Sequence, residues 1–219
     1  MSVAEIIRER GITELLHFTT NRGLVGILAT EKLRSRRGLN SDDYLQSVLH
    51  RNAISRPEAA PSFDKKEDWL NYVNLSVSAI NVSYMGFSRS WPHNQDIWWC
   101  ILSFDPTLME HEGVYFATTN NGYEHCIRGE GREGLEALFV PSVRRKGTWL
   151  ASRGSREPKL PTCQQAEVLY PAEVAVDYLR HVYVQTDEDS DRVRGWLRDF
   201  GPDSVSVSIS ESAFRGNSN

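Results

Sequence analysis

The stretch Ile97–Phe104 reads Ile-Trp-Trp-Cys-Ile-Leu-Ser-Phe, apolar on both alternating faces for almost its whole length. A run of that kind belongs to a strand in the middle of a sheet. Its most apolar part, Ile97–Leu102, falls far short of the ~20 residues that span a bilayer. The first twenty residues lack a basic start, an apolar stretch and a small-residue cleavage site, so a cytoplasmic protein is expected. Cys100, Cys126 and Cys163 are odd in number and form no CxxC pair, which argues against a disulfide framework or a structural zinc site. Cys100, inside the apolar strand, reads as an inert buried thiol.

Other elements surround this strand. Ser2 and Glu5 have capping-box spacing ahead of Val3, Ile6 and Ile7, and Gly11 can stop the helix. Leu15–Thr19 reads as a strand, with Thr20 placed to cap a helix carrying Leu24, Ile27 and Leu28 on one face. His17 and Thr19 therefore sit where a strand meets a helix N-terminus, which suits an anion. From Arg34 to Pro61 the chain is polar and weakly periodic and reads mostly as loop. Asp64 and Glu67 can open a helix burying Trp69, Leu70 and Val73, and Leu75–Phe87 alternates like a strand. Gly113–Thr118, Ala166–Tyr170 and His181–Gln185 read as strands, and Gly134–Phe139 as a helix. After Thr186, the residues Val193, Trp196, Leu197 and Phe200 fall at i, i+3, i+4 and i+7, and Gly201-Pro202 ends that helix. Ser204–Ile209 alternates serine with Val205, Val207 and Ile209, as in a strand with one wet face. With 219 residues and no interdomain linker, the chain reads as one strand-rich α+β domain over residues 1–214, with a frayed tail over 215–219.

The charge is unevenly spread. Between Val143 and Lys159 lie Arg144, Arg145, Lys146, Arg153, Arg156 and Lys159 against Glu157, a net +5 in a chain of net −4, so the remainder carries −9. Trp149 sits in the middle of this segment. Cations with an interleaved aromatic suit single-stranded nucleic acid, the charges meeting phosphates and the ring stacking on a base. A solvated loop that only aids solubility has the same composition.

Glu167 follows directly, in Gln164-Gln165-Ala166-Glu167-Val168-Leu169-Tyr170. On a strand it shares a face with Leu169, while Ala166 and Val168 point the other way. A carboxylate beside a core position is costly unless it is paired or functional; the alternative is an edge strand with Glu167 in water. Arg89, in Phe87-Ser88-Arg89-Ser90 at the end of a strand-like stretch, suits a diphosphate or a surface carboxylate. His93 with Asp96, and His111 with Glu110 and Glu112, match no metal-ligand spacing, so no metal is expected. GxSxG, GxxxxGK[ST] and GxGxxG are all absent, which removes the usual support for hydrolase, P-loop and Rossmann readings.

The ordered set His17-Phe18-Thr19-Thr20, the helix from Asn21 to Leu28, Phe87-Ser88-Arg89-Ser90, and Gln165-Ala166-Glu167-Val168-Leu169 resembles the DarT family of NAD-dependent DNA ADP-ribosyltransferases. Val114-Tyr115-Phe116 with Asn120 and Asn121 resembles a further family stretch. The likeness runs from about Leu15 to about Val184. It departs after Ser90, where Trp91-Pro92-His93 replaces the family's Ser-Pro-Met-Leu-Tyr continuation.

The resemblance implies an ADP-ribosyltransferase fold, with two antiparallel-rich sheets packed at an angle, flanking helices, and NAD bound between them as co-substrate. It implies Glu167 as catalytic carboxylate and Arg89 orienting the cofactor phosphate or the target base. His17, Thr19, Asn21 and Leu24 would hold NAD, and the loop with Arg144, Arg145, Lys146, Trp149, Arg153 and Arg156 would recognise single-stranded DNA. It implies a toxin of a toxin–antitoxin or phage-defence system, neutralised by a partner with a macrodomain that removes ADP-ribose. Transfer to RNA, and a non-catalytic nucleic-acid-binding module, are the alternatives.

Overall fold

Residues 2–39, 69–89 and 96–217 are described by a computed structural model. Helix α1 (Val3–Arg10) opens on the expected capping box: the Ser2 hydroxyl accepts the Glu5 N–H, and the Glu5 carboxylate accepts the Ser2 N–H. Gly11 closes it at φ 67°, a left-handed conformation that glycine adopts without steric penalty. Strand β1 (Leu15–Thr20) runs straight into helix α2 (Asn21–Thr30), where the Thr20 hydroxyl accepts the Gly23 N–H at 3.2 Å.

The main sheet joins β1 to β3 (Tyr72–Val77), β4 (Trp99–Phe104), β5 (Tyr115–Ala117), β6 (Arg128–Glu130), β9 (Glu167–Pro171), β11 (Leu179–Val184) and β12 (Ser206–Ile209). These eight strands lie in the order β12-β11-β4-β1-β3-β9-β5-β6. Every pairing is antiparallel except β11 with β12, which are joined by the crossover helix α5 (Asp187–Phe200). A separate two-stranded ribbon pairs β2 (Lys32–Arg34) with β10 (Glu173–Ala175). As the apolar run predicts, β4 is interior, and Cys100 through Phe104 are all buried. The Cys100 thiol is pushed well above its ordinary range by that burial.

The two expected sheets are halves of this one. β1 and β4 share six rungs, whereas β1 and β3 share two, Leu15 with Val77 and Leu16 with Ser76. Beyond that seam the ladder between β1 and β3 stops, and the halves part. One face of the sheet carries the main core. There α1, α2, α5 and helix α4 (Gly131–Ala137) pack Ile6, Leu24, Leu28, Leu135, Val193 and Leu197 onto Leu75, Leu102, Phe104, Phe116, Val168 and Val182. Each such side chain contributes about 1.5–3 kcal/mol by leaving water.

The opposite face holds two smaller clusters. Leu16, Ile80, Met85, Ile101 and Phe214 form one, under helix α3 (Val82–Arg89) and helix α6 (Glu211–Arg215). Trp69, Ala117, Cys126 and Leu169 form the other. By register, Asn74, Ser76 and Glu167 lie on this face between the two.

Several segments differ from expectation. The alternation over Leu75–Phe87 is not one strand: β3 ends at Val77, Ser78 turns at φ 58°, and α3 begins after Asn81. The Asn81 side-chain oxygen accepts the Tyr84 N–H at 3.1 Å, a cap that the alternating apolar residues conceal. Arg89 therefore ends a helix. Asp64 and Glu67 lie outside the described residues, as do Trp91, Pro92 and His93; Trp69–Asn71 is a 3-10 turn and Val73 a strand residue. In the polar stretch after Arg34, Arg36–Gly38 is a 3-10 turn and 40–61 lie outside the description. The helix read at Gly134–Phe139 spans Gly131–Ala137. At the C-terminus Arg215 is the last residue of α6, and the Asn217 carbonyl accepts from the Arg156 guanidinium at 3.2 Å.

Candidate active site

Glu167 opens β9, which is flanked by β3 on one side and β5 on the other, so the edge-strand reading does not apply. Its neighbours behave as the alternation requires: Ala166 and Val168 face the main core, while Leu169 shares the Glu167 face. The half-buried carboxylate is held by a loop from the next strand. Its Oε2 accepts the Asn121 backbone N–H at 2.7 Å. That loop is internally braced, with the Gly122 N–H donated to Asn120 Oδ1 at 2.9 Å and the Ile127 N–H to Thr118 Oγ1 at 3.1 Å. Beneath it, burial pushes the Cys126 thiol up to about 11, with Arg128 opposing and Glu167 reinforcing the shift.

His17 lies where β1 and β3 have stopped pairing, and its Nδ1 donates to the Asn74 carbonyl oxygen at 3.0 Å. Burial pushes its pKa below the ordinary value, against the effect of that hydrogen bond. The imidazole is accordingly neutral at physiological pH, with its proton on Nδ1 and Nε2 in acceptor form. An acceptor there suits a sugar hydroxyl.

The other residues expected to hold NAD are placed differently. Thr19 is buried and its carbonyl accepts the Cys100 thiol at 3.7 Å. Leu24 is wholly enclosed in the main core, where it fixes α2 on the sheet. Asn21, at the first turn of α2, fastens the segment before β4: its N–H donates to the Trp98 carbonyl at 2.9 Å and its Nδ2 to the Asp96 carbonyl at 2.9 Å. His17 stands at the parting of the two half-sheets, with its Nδ1 bonded across it.

Arg89 sits over the far end of the other half. Its Nη2 donates to Gln185 Oε1 at 2.6 Å, and its guanidinium lies 5.5 Å from the centre of the Phe214 ring. Burial lowers its pKa, and its buried Nε has no partner among the described residues. Register places Gln185 level with Trp99 and Thr20, and Glu167 level with Ser76 and Leu16. The Gln185 and Glu167 rows are thus four residues, roughly 13 Å, apart along the strands. The structure does not join Glu167 and Arg89; it sets them at two stations on one face.

The basic segment is a hairpin, β7 (Ser142–Arg144) with β8 (Leu150–Ser152). Lys159 pairs with Glu157 at 3.5 Å, and the other five cations divide into two groups. Arg144, Lys146 and Trp149 are exposed around the tip, Trp149 by 71%, with the Arg144 Nε donating to the Gly147 carbonyl at 2.9 Å, and the half-buried Arg145 lies 6.0 Å from the Trp149 ring centre. Arg153 and Arg156 tie down backbone beyond the tip: Arg153 donates to the carbonyls of Glu157, Pro158 and Leu160, and Arg156 to those of Pro161 and Asn217. Reading the chain for charge alone misses this division. It also misses Arg128, which grips Asn121 seven residues earlier in the loop of the same hairpin.

Among the described residues, no group of three His, Cys, Asp or Glu side chains is placed to hold a metal. His111 is engaged with Tyr170, its Nδ1 lying 2.8 Å from the phenol oxygen.

Several solved structures share the fold. The DarT of Thermus sp. 2.9 in complex with carba-NAD+ matches at TM-score 0.62 and 16% identity, over 92% of this chain and 97% of that one. The same protein in complex with ADP-ribosylated ssDNA matches at TM-score 0.62 and 16% identity, over 93% and 96%. DarTG of Thermosipho africanus in complex with ADP-ribose matches at TM-score 0.61 and 13% identity, over 94% of this chain and 52% of that one. No curated protein shows significant sequence similarity to the chain. Residues 16–215 match the sequence pattern of the family described as ssDNA thymidine ADP-ribosyltransferase, DarT. With that match running over nearly its whole length, the chain belongs to the DarT family and is an NAD-dependent ADP-ribosyltransferase.

Proposed function

We propose that this protein transfers ADP-ribose from NAD to thymidine in single-stranded DNA, with Glu167 as the catalytic carboxylate. The observation that carries the assignment is Glu167 on an interior strand, half-buried, with one oxygen fixed by the Asn121 N–H at 2.7 Å. NAD supplies the ADP-ribosyl group and a leaving nicotinamide, which departs with the electron pair of its bond to ribose. A fixed carboxylate stabilises positive charge developing at the ribose carbon and orients the reacting sugar by hydrogen bonding.

The same carboxylate is the group to accept a proton from the target. The one exchangeable ring proton of thymine is on N3, which a base-paired duplex engages and a single strand leaves open. His17 Nε2, in acceptor form, suits a ribose hydroxyl. Arg89, cationic and with an unpaired buried Nε among the described residues, suits a phosphate or the oxygens of the target base. The hairpin tip, with Arg144, Arg145, Lys146 and Trp149, suits the flanking strand: its charges meet phosphates and its indole stacks on a base.

The chain is further inferred to act as a toxin with a neutralising antitoxin that removes ADP-ribose. The match to Thermosipho africanus DarTG supports this, because it covers 52% of that chain and leaves space there for another part. No helix among the described residues is long and apolar enough to cross a membrane, which is compatible with action in the cytoplasm.

The deciding measurement is the intact mass of single-stranded oligonucleotides after incubation with NAD, for wild type and Glu167→Ala in parallel. A gain of one ADP-ribose unit on thymidine-containing DNA, with wild type alone, is the expected result. A gain on RNA only would move the target, and no gain with either would overturn the transferase reading.

A further inference from the structure

Glu167, Ala117 and Arg128 stand in one row across three neighbouring strands: Ala117 pairs with Glu167 on one side and with Arg128 on the other. Residues in a row project from the same face. The central position is a buried alanine, so its methyl leaves space above it for a long side chain coming from either neighbour. Two strand spacings put the outer Cα atoms about 10 Å apart, a span that arginine covers most of.

Arg128 directs two of its donor nitrogens at Asn121. Its Nε donates to the Asn121 side-chain oxygen and its Nη2 to the Asn121 carbonyl oxygen, while Nη1 donates to the Cys126 carbonyl at 3.4 Å. The N–H of that same Asn121 is the donor to Glu167. Below the guanidinium lies Trp69, its ring centre 5.1 Å away, and Trp69 is wedged by Tyr72 and Tyr115, each 5.3 Å from it. The aromatic floor holds the guanidinium, the guanidinium holds Asn121, and Asn121 holds the carboxylate. A planar fork meets a side-chain oxygen and a backbone oxygen of one residue with two separate nitrogens in fixed geometry, which the single nitrogen of a lysine ammonium does not reproduce.

We propose that Arg128 is a positioning residue for the transfer reaction, acting through Asn121 to orient the Glu167 carboxylate. This inference rests on the reading of Glu167 as the catalytic group. It assigns the Asn120–Cys126 loop a task in turnover rather than in cofactor affinity.

The test is steady-state kinetics of Arg128→Met, Arg128→Lys and Asn121→Ala, each alone and in the Glu167→Ala background, with melting temperature recorded for every variant. Misplacing a catalytic group by about 1 Å lowers the rate about 100-fold, and that is the fall in kcat expected for Arg128→Met. The KM for NAD should move by less than about threefold, because uniform cofactor binding is untouched. Arg128→Lys should recover little of the loss. In the Glu167→Ala background the Arg128 change should add nothing further, since both act on one step.

A raised KM for NAD with unchanged kcat, a kcat equal to wild type, or a loss that multiplies with that of Glu167→Ala would each overturn the proposal. Should Arg128→Met fail to fold, Arg128→Lys and Asn121→Ala carry the same comparison. A fully active Glu167→Ala would instead remove the catalytic reading beneath, and that result is obtained without any Arg128 variant.

Discussion

His17 Nδ1 donates to the Asn74 carbonyl oxygen at 3.0 Å just past the two rungs that join β1 to β3. The backbone ladder has ended there, and a side chain spans the opening in its place. The bond fixes which ring nitrogen carries the proton, so the sequence position of one histidine becomes a directed acceptor at the parting of two half-sheets.

The acceptor persists only while the ring is neutral. Burial lowers the folded-state pKa of His17 from its ordinary value of 6.5, so the folded protein binds fewer protons than the unfolded chain just below that pH. Stability from this residue is complete above the unfolded pKa and falls as the pH drops toward the folded one. Acid should also weaken NAD binding, read as a smaller NAD-induced rise in melting temperature. His17→Ala should bind NAD more weakly and lose this pH dependence; a dependence unchanged in the variant would remove the role.

Substituting the carboxylate tests chemistry apart from folding. Glu167→Gln keeps shape and an acceptor oxygen for the Asn121 N–H but loses the charge. Transfer should fall by about 10²–10⁴-fold, the range for loss of a general acid–base group, with melting temperature little altered. Oligonucleotide mass gain over time measures the first, and thermal unfolding the second.

The hairpin separates binding from stability. Trp149→Ala should weaken single-stranded DNA binding by the equivalent of about 1–3 kcal/mol if a base stacks on the exposed indole, with the fold intact. Lys146→Ala should flatten the dependence of log K on log salt by about 0.7 for each phosphate that the ammonium neutralises. Arg153→Ala should instead lower stability, by about 1–3 kcal/mol, because three backbone carbonyls lose their donor. Fluorescence titration at several salt concentrations and denaturant unfolding distinguish the two groups.

Close backbone approach makes one glycine indispensable. A Cβ on Gly134, in α4, would lie 2.2 Å from the Gly129 carbonyl oxygen in β6. Neither atom sits on a flexible side chain, so the helix has to move off the sheet. Gly134→Ala should destabilise by about 3 kcal/mol, at the upper end of overpacking effects. Chemical denaturation provides the measurement.

Local chemistry is enough to read much of the framework. The capping box of α1, the apolar stripe of α5, and the apolar run of β4 each depend on neighbours within a few positions, where local spacing speaks directly. The face assignment of Glu167 beside Leu169 follows from the two-residue repeat of a strand in the same way. The stretch Leu75–Phe87 misleads because a turn at Ser78 and an Asn81 cap divide an alternation that looks continuous. Charge counting likewise finds the basic segment. It does not show that Arg153 and Arg156 spend their donors on backbone while the tip faces solvent.

The sequence by itself determined most of the element types, the interior strand and the candidate carboxylate, together with the ordered residues that resemble one enzyme family. Tertiary structure alone decided that the two half-sheets share a two-rung seam, that His17 bridges the gap beyond it, and that Ala117 sets Arg128 in one row with Glu167. The physical reason is range. Caps and periodic faces are set by bonds and sterics within a turn or a strand, whereas register and the rows of side chains it aligns depend on which strands become neighbours, something settled only when the whole sheet assembles.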